Sequence, residues 1–152
     1  PELDIRAITT VTWPSAGRAR LVKRLLRHLG RDDIPVAAGM QAPLRPLPAD
    51  EAARLRDPAV AMNHACFAEP AEPADEAGGD AVDLILGSLR ESPTPLTLCC
   101  IAPLTNVACA LIREPDIVSR IGRIILMGGE IALDRAEHNI AHDPVASAIV
   151  LG

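Results

Sequence analysis

The chain has 152 residues, of which 49% are hydrophobic and 23% charged, a composition that predicts one globular domain rather than a disordered segment. A net charge of −5, with one Trp, one Phe and no Tyr, excludes the basic, ring-stacking surfaces typical of nucleic-acid-binding proteins. No apolar run reaches the roughly 18 residues that a membrane span needs. Residues 1–4 lack the basic and apolar parts of a signal peptide, and we expect a cytoplasmic protein that binds neither nucleic acid nor membranes.

The first third of the chain predicts a strand, a helix and a second strand. Residues 3–11 are rich in β-branched side chains, which favours a strand. Ser15 is a helix-capping residue type, apolar residues follow at helical spacing over 21–29, and Gly30 suits the position just after a helix. Residues 34–38 form a short apolar run that predicts the second strand.

The middle of the chain predicts a loop. Residues 40–79 are rich in Pro, Ala and Glu, and within them 60–79 is expected to be a mobile surface loop. A helix is predicted next, over residues 80–91.

The last third alternates again between strands and helices. Continuous apolar runs at 96–101 and 123–127 predict strands that are covered on both faces. Pro103 favours the first turn of a helix that reaches residue 111. Asp143 and Pro144 predict the cap and the first residue of a last helix.

The four cysteines show no metal or redox spacing. They stand at positions 66, 99, 100 and 109, without a C-x-x-C pair. Cys99 and Cys100 are neighbours in a predicted strand and so point to opposite faces. We expect buried thiols that act as small hydrophobic groups in a reducing compartment.

This order of elements predicts an α/β fold. Strands that alternate with helices form an open, mostly parallel sheet with helices on both faces, a Rossmann-like core. Neither an internal repeat nor a second domain is visible, so residues 1–152 are expected to belong to a single domain.

In such a sheet, ligands bind at the carboxyl ends of the strands. Those ends are predicted at residues 10–13, 38–40, 102–106 and 128–130. The most polar of the segments that follow is 128–143. Its Gly128-Gly129 pair lacks the spacing of a dinucleotide-binding or P-loop motif, which excludes both.

Two interpretations of this polar segment compete. His138 and His142 are four residues apart, the spacing of helical zinc ligands, with Glu137 and Asp143 beside them. The other interpretation is that Asp143 caps a helix that begins after His142 and that the histidines are exposed, and we favour it for His142 and Asp143. Glu137 and Asn139 are two apart, so on an extended segment they would face the same way and could grip a diol.

A series of short segments resembles one known family. They are ITTV at 8–11, IPVAAG at 34–39, APLTNVACAL at 102–111, IILMGG at 124–129 and AEHNIAHDPVAS at 136–147. In this order and spacing they resemble the inosine–uridine-preferring nucleoside hydrolases. The resemblance covers nearly the whole chain.

The resemblance implies a calcium-dependent hydrolase that cleaves the N-glycosidic bond of ribonucleosides in purine and pyrimidine salvage. The residue matching Thr105 gives a backbone carbonyl to calcium. Those matching Glu137 and Asn139 hold the ribose hydroxyls, and His64 corresponds to a histidine near the base. The resemblance leaves the base preference open.

The chain also departs from the family's pattern. The family's opening aspartate-rich strand and its later aspartate–histidine pair have no counterpart here, and Trp13-Pro14 replaces a Gly-Asn pair. One carbonyl cannot hold calcium, which takes about 6–8 oxygen ligands. We therefore expect an incomplete domain that binds calcium weakly or not at all and is inactive alone.

Two further expectations follow from the missing segments. An incomplete domain should expose an apolar patch and associate with a second copy or with a complementing segment. The alternative to a hydrolase is a non-catalytic remnant or a module that binds ribose or a nucleoside.

Overall fold

The computed structural model describes residues 3–57, 77–132 and 134–152. Strands alternate with helices as the sequence predicts, except that Ala49–Arg56, in the segment predicted as a loop, forms a helix. A 3₁₀ turn lies at Pro115–Arg120. In chain order the elements are β1 (Ile8–Thr10), α1 (Ser15–His28), β2 (Val36–Ala38), α2 (Ala49–Arg56), α3 (Ala81–Glu91), β3 (Leu96–Cys100), α4 (Thr105–Arg113), β4 (Ile121–Leu126), α5 (His138–His142) and α6 (Pro144–Leu151).

The strands form two parallel pairs. β1 pairs with β2, Ile8 lying opposite Val36, and β3 pairs with β4, Cys99 lying opposite Ile125. The predicted α/β class with parallel strands is confirmed. The described part of the sheet is divided, however, because no strand ladder joins one pair to the other within 3–57, 77–132 and 134–152.

Helix α1 begins differently from the prediction. Ser15 is its first helical residue rather than its cap, because the Ser15 hydroxyl donates to the carbonyl of Gly39, 2.7 Å away. The end of the helix agrees with the prediction. Gly30 has φ 64°, a left-handed conformation that glycine adopts without a steric penalty.

Helices α3, α5 and α6 begin where polar side chains satisfy free backbone N–H groups. The Asp80 carboxylate accepts from Val82 N at 2.8 Å and caps α3, as the predicted helix requires. Asp143 likewise caps α6, and Pro144 is its first residue, as predicted. Helix α5 is not among the predicted elements, and it forms because Glu137 caps it.

The core is built from aliphatic side chains. One cluster packs α3 and α4 against β3, with Leu86 and Leu89 almost completely buried. A second packs α1 on β2 around Leu26, Ile34 and Val36, whereas Leu25 and Leu29 of the predicted apolar side of α1 are exposed. This agrees with the sequence, which has one Trp, one Phe and no Tyr to contribute to a core.

One face of the β3–β4 pair is open to solvent, contrary to the prediction of strands covered on both faces. Leu98 and Cys100 point towards α3 and α4, whereas Cys99, which alternates with them, is exposed. On the same open face Ile125 is 50% exposed and Met127 59%. The expected apolar patch is therefore present, and Cys99 is not the buried thiol that the sequence predicts.

Within the described ranges, no helix is both long and apolar enough to cross a membrane. His64, Cys66 and most of the predicted 60–79 loop lie outside the described residues.

Candidate functional site

The carboxyl ends of the strands are joined by Asn106, near the start of α4. Its Nδ2 donates to the carbonyl of Thr10 at the end of β1, 2.9 Å away. Its Oδ1 accepts from the backbone N–H of Met40, after β2, also at 2.9 Å. One amide thus ties the β1–β2 pair to the helix that follows β3, using its donor and its acceptor.

Gly39 makes this contact possible. A Cβ at position 39 would lie 2.3 Å from Asn106 Oδ1, so any other residue would push the amide away. The sequence pattern places both Gly39 and Asn106 at the expected edge but assigns neither a role. The APLTN segment, which contains Asn106, was the signal that could have indicated one.

Thr105, the predicted calcium ligand, is buried at the start of α4. Its hydroxyl donates to Asp143 Oδ2, 2.7 Å away. As the first residue of α4, it has a carbonyl that belongs to the helical hydrogen-bond ladder. A cation would therefore have to use the second lone pair of that oxygen.

Asp143 does more than cap α6. Its side chain is fully buried, and Oδ2 also accepts from the backbone N–H of Leu44 at 2.8 Å while Oδ1 accepts from Ala146 N at 3.1 Å. Three donors thus compensate the buried carboxylate. It connects the loop after β2, the start of α4 and the start of α6. Sequence reasoning found the local cap of α6 but missed the bonds from Thr105 and Leu44, because tertiary structure sets those two partners.

Asn139 and Glu137 lie at the carboxyl end of β4. The buried Asn139 side chain donates from Nδ2 to the carbonyl of Met127, 2.9 Å away, and Met127 N donates to the carbonyl of Cys100. Asn139 therefore sits at the edge where β3 and β4 end, the edge from which Thr105 also starts α4. The structure brings these two predicted site residues to the same rim.

Glu137 is the cap of α5, and its Oε2 accepts from Ile140 N at 2.9 Å. Hydrogen bonds from the backbone N–H groups of Asn139 and Ile140 hold the pKa of this carboxyl below its usual value, so it is ionised at neutral pH. Glu137 is extended whereas Asn139 is helical, so the predicted arrangement of both on one extended segment is wrong.

The two histidines share one turn of α5, an unpredicted short helix that precedes the expected helix α6. The rings of His138 and His142 have centroids 6.2 Å apart, and His138 is exposed as expected. His142 is half-buried, its Nε2 has no hydrogen-bond partner, and its carbonyl accepts from Arg45 Nε at 3.0 Å. Burial is the main reason that the pKa of His142 is lowered.

The metal-ligand interpretations find little support in this geometry. In the part of the chain that the structure describes, no three His, Cys, Asp or Glu side chains are close enough to hold a metal ion. This applies to the His138–His142 zinc interpretation. It also holds around Thr105, where the neighbouring carboxylate of Asp143 already accepts from three donors and no group of further ligands of the kind that calcium requires is described.

The turn after β1 is strained. Thr12 has φ 66°, a left-handed conformation that β-branched residues rarely adopt. The Thr12 N–H donates to the carbonyl of Met40, 2.7 Å away. The cost of such a conformation is about 1–3 kcal/mol, and it persists where the surroundings fix it.

A family model described as inosine-uridine preferring nucleoside hydrolase matches residues 1–152. The chain belongs to this family of nucleoside hydrolases. The resemblance that the ordered segments carry in the sequence is thus confirmed.

Individual nucleoside hydrolases give the same result. The chain is 39% identical over 166 aligned positions to the pyrimidine-specific ribonucleoside hydrolase RihA of Citrobacter koseri, and the alignment covers 99% of the chain and 49% of that protein. It superposes on a purine-preferring ribonucleoside hydrolase from Gardnerella vaginalis with a TM-score of 0.77 at 26% identity, over 99% of the chain and 50% of that structure. For the plant nucleoside hydrolase PpNRh1 the TM-score is 0.74 at 27% identity, over 99% and 49%.

The chain therefore spans about half the length of the nucleoside hydrolases that it matches. Thr105, Glu137 and Asn139 all lie in this half. The fold class and the family are established, whereas the activity of a complete nucleoside hydrolase needs a separate argument.

Proposed function

We propose that this chain is part of a hydrolase that cleaves the N-glycosidic bond of ribonucleosides, and that it supplies the contacts to the ribose ring. The observation that carries the proposal is the shared rim: Thr105 and Asn139 lie where neighbouring parallel strands end, each fixed by a hydrogen bond to a neighbouring segment. The carboxyl edge of a parallel sheet is where ligands bind in this type of fold. The ribonucleoside substrates in the names of related proteins agree with it.

Glu137 and Asn139 have the chemistry to hold neighbouring hydroxyl groups. The ionised Glu137 carboxylate is an acceptor only, and its cap bond to Ile140 engages Oε2. Because Asn139 Nδ2 is fixed on the carbonyl of Met127, the orientation of its Oδ1 is fixed too. Because these acceptors are already oriented, binding a ribose hydroxyl costs the freedom of the sugar but little freedom of the protein side chains.

The described residues do not fit calcium. Besides the Thr105 carbonyl, they supply no group of three potential side-chain ligands, whereas calcium takes about 6–8 oxygens. The carboxylates that would activate a water molecule must therefore come from outside the described residues, and we propose that this chain alone is inactive. His64, the proposed contact to the base, also lies outside them.

The same ligand set favours a second candidate function, a ribose- or nucleoside-binding module without catalysis. Both candidates predict ribose binding, and they differ in whether added carboxylate-bearing sequence restores turnover. We propose residues 1–152 as a single partial domain, and the cytoplasm and nucleoside salvage as its setting.

The ribose contacts are tested by amide NMR shifts of the purified chain titrated with ribose, with and without calcium chloride. Saturable shifts at Thr105 and Asn139 are expected, and the Glu137→Gln variant should weaken them because it removes the charge but keeps an acceptor for the cap. Glu130→Gln is the matched control, since Glu130 also accepts a backbone N–H in the same segment. Equal affinity in the two variants would contradict the proposed role of Glu137.

Turnover is tested separately by measuring ribose released from inosine and uridine in the presence of calcium. We expect none from this chain alone. Sustained release at the level of an intact enzyme would show that the proposed inactivity is wrong. Release only after addition of a complementing segment would decide for the hydrolase over the binding module.

A further inference from the structure

A tryptophan follows one of the strand ends of the proposed rim in a chain that has almost no aromatic residues. The sequence contains one Trp, one Phe and no Tyr. Trp13 follows directly on the strained Thr12, after the carboxyl end of β1, and it is partly exposed. The buried core is aliphatic and does not include Trp13, so packing of the core does not explain the position of this residue.

The turn that carries Trp13 is held on both sides. Before it, the Thr12 N–H donates to the carbonyl of Met40 at 2.7 Å. After it, the buried Ser15 donates to the carbonyl of Gly39 at 2.7 Å and accepts through its own carbonyl from Thr10 Oγ1 at 2.8 Å. These bonds enforce a backbone conformation that threonine disfavours, and such enforced conformations cluster at ligand-binding sites.

The same turn is tied to the proposed ribose rim. Asn106, the neighbour of Thr105, donates to the carbonyl of Thr10 and accepts from the N–H of Met40. The Met40 carbonyl in turn accepts from the N–H of Thr12. Trp13 is thus three residues from a direct contact with the helix start that carries Thr105. An indole carried by this turn has the right chemistry for the planar group attached to the sugar.

We infer that Trp13 is a stacking platform for the nucleobase, an inference that rests on the proposed ribonucleoside substrate. Indole stacks on any base because every base presents a π-face, so the contact favours base binding without selecting a purine or a pyrimidine. Loss of such a stacking partner weakens binding by about tenfold.

The chain itself provides the probe, because Trp13 is its single tryptophan. Intrinsic fluorescence and the indole N–H resonance are measured while uridine, inosine, uracil, hypoxanthine or ribose is added to the full chain. Saturable quenching and an indole shift with the nucleosides and the free bases, but not with ribose, are expected. An unchanged indole signal with every base would overturn the inference.

Two variants test the contact without the fluorophore, with amide shifts as the readout. Trp13→Phe keeps a stacking ring and should retain uracil binding, whereas Trp13→Leu should lose about tenfold in affinity. Equal uracil affinity of Trp13→Leu and the unaltered chain, with an unchanged thermal midpoint, would also overturn the inference.

Ribose binding separates this inference from the proposed function. If ribose shifts Thr105 and Asn139 while bases leave Trp13 unchanged, the inference fails and the ribose contacts stand. If bases affect Trp13 while ribose shifts nothing, the ribose contacts fail and the stacking role stands.

Discussion

The two strand pairs of this molecule differ in how they are enclosed. In β2, Val36 is 3% exposed and Ala37 fully buried, with α1 packed on the pair. In β3 and β4, one face packs on α3 and α4, and the opposite face exposes Cys99, Ile125 and Met127. Strand β2 is thus enclosed by the fold, whereas the β3–β4 pair has one apolar face that is open to contact with another protein surface.

The contrast also concerns how the pairs are anchored. The β1–β2 pair is held at its carboxyl end by Asn106, and the segment after β4 is held by the buried Asp143. If these anchors determine which parts unfold together, substitutions at each should have distinct and measurable effects.

The largest effect is expected from Asp143→Ala. The substitution leaves the donors from Thr105, Leu44 and Ala146 without their acceptor inside the protein, and we expect a loss of about 3–5 kcal/mol in the free energy of unfolding. Urea denaturation followed by circular dichroism measures it. The matched control is Asp50→Ala on the exposed first turn of α2, with an expected change within about 0.5 kcal/mol. Equal effects would mean that Asp143 does not anchor this half.

A smaller loss is expected from Gly39→Ala, because the new Cβ would lie 2.3 Å from Asn106 Oδ1. Overpacking of this kind costs about 1–3 kcal/mol. Gly87→Ala is the matched control, since Gly87 lies inside α3 and a Cβ added there would meet nothing within 4 Å. That variant should gain about 0.5–1 kcal/mol. The same denaturation measurement distinguishes the pair, and two changes of the same sign would contradict the contact.

The half-covered face predicts self-association through β3–β4. Ile125→Lys places a charge in the middle of that face and should lower the association seen by light scattering at high protein concentration. Val118→Lys is the control, because Val118 is 59% exposed in the 3₁₀ turn, outside that face. A strictly monomeric unaltered chain at high concentration would contradict the prediction.

The smallest effect concerns pH. Because burial lowers the pKa of His142, the unfolded chain binds a proton there more readily than the folded chain. This group's contribution to stability is therefore complete above about pH 6.5 and declines as the pH falls below it, towards the pKa of the folded state. Replacing His142 by Gln should reduce the change of the thermal midpoint between pH 7 and pH 5. An unchanged slope in this variant would contradict the role of His142.

The sequence predicts the elements of this fold well where local chemistry decides them. The glycine at position 30, the helix that follows Asp80 and the Asp143-Pro144 start of α6 are all confirmed because each depends on residues within one turn. Ser15 is the exception, because its hydroxyl has a better-placed acceptor at Gly39, 24 residues away.

Burial was harder to predict than secondary structure. The apolar runs at 96–101 and 123–127 indicate strands correctly but not their open face. The sequence of a strand cannot show which of its faces is covered, since an apolar side chain is compatible both with the core and with an exposed surface. The site shows the same limit. The sequence predicts the carboxyl edge of the sheet at which Thr105 and Asn139 lie, but the hydrogen bonds of Asp143 and Asn106 join residues that are 38 and 96 positions apart.

The amide of Asn106 makes the centre of this molecule sensitive to a very small chemical change. Spontaneous hydrolysis of that amide to a carboxylate would exchange the donor for a negative oxygen and set it against the carbonyl of Thr10, 2.9 Å from the present nitrogen. The acceptor side towards Met40 would survive. Ageing of the purified chain by deamidation at this position should therefore loosen the β1 end of the rim while the rest of the fold persists.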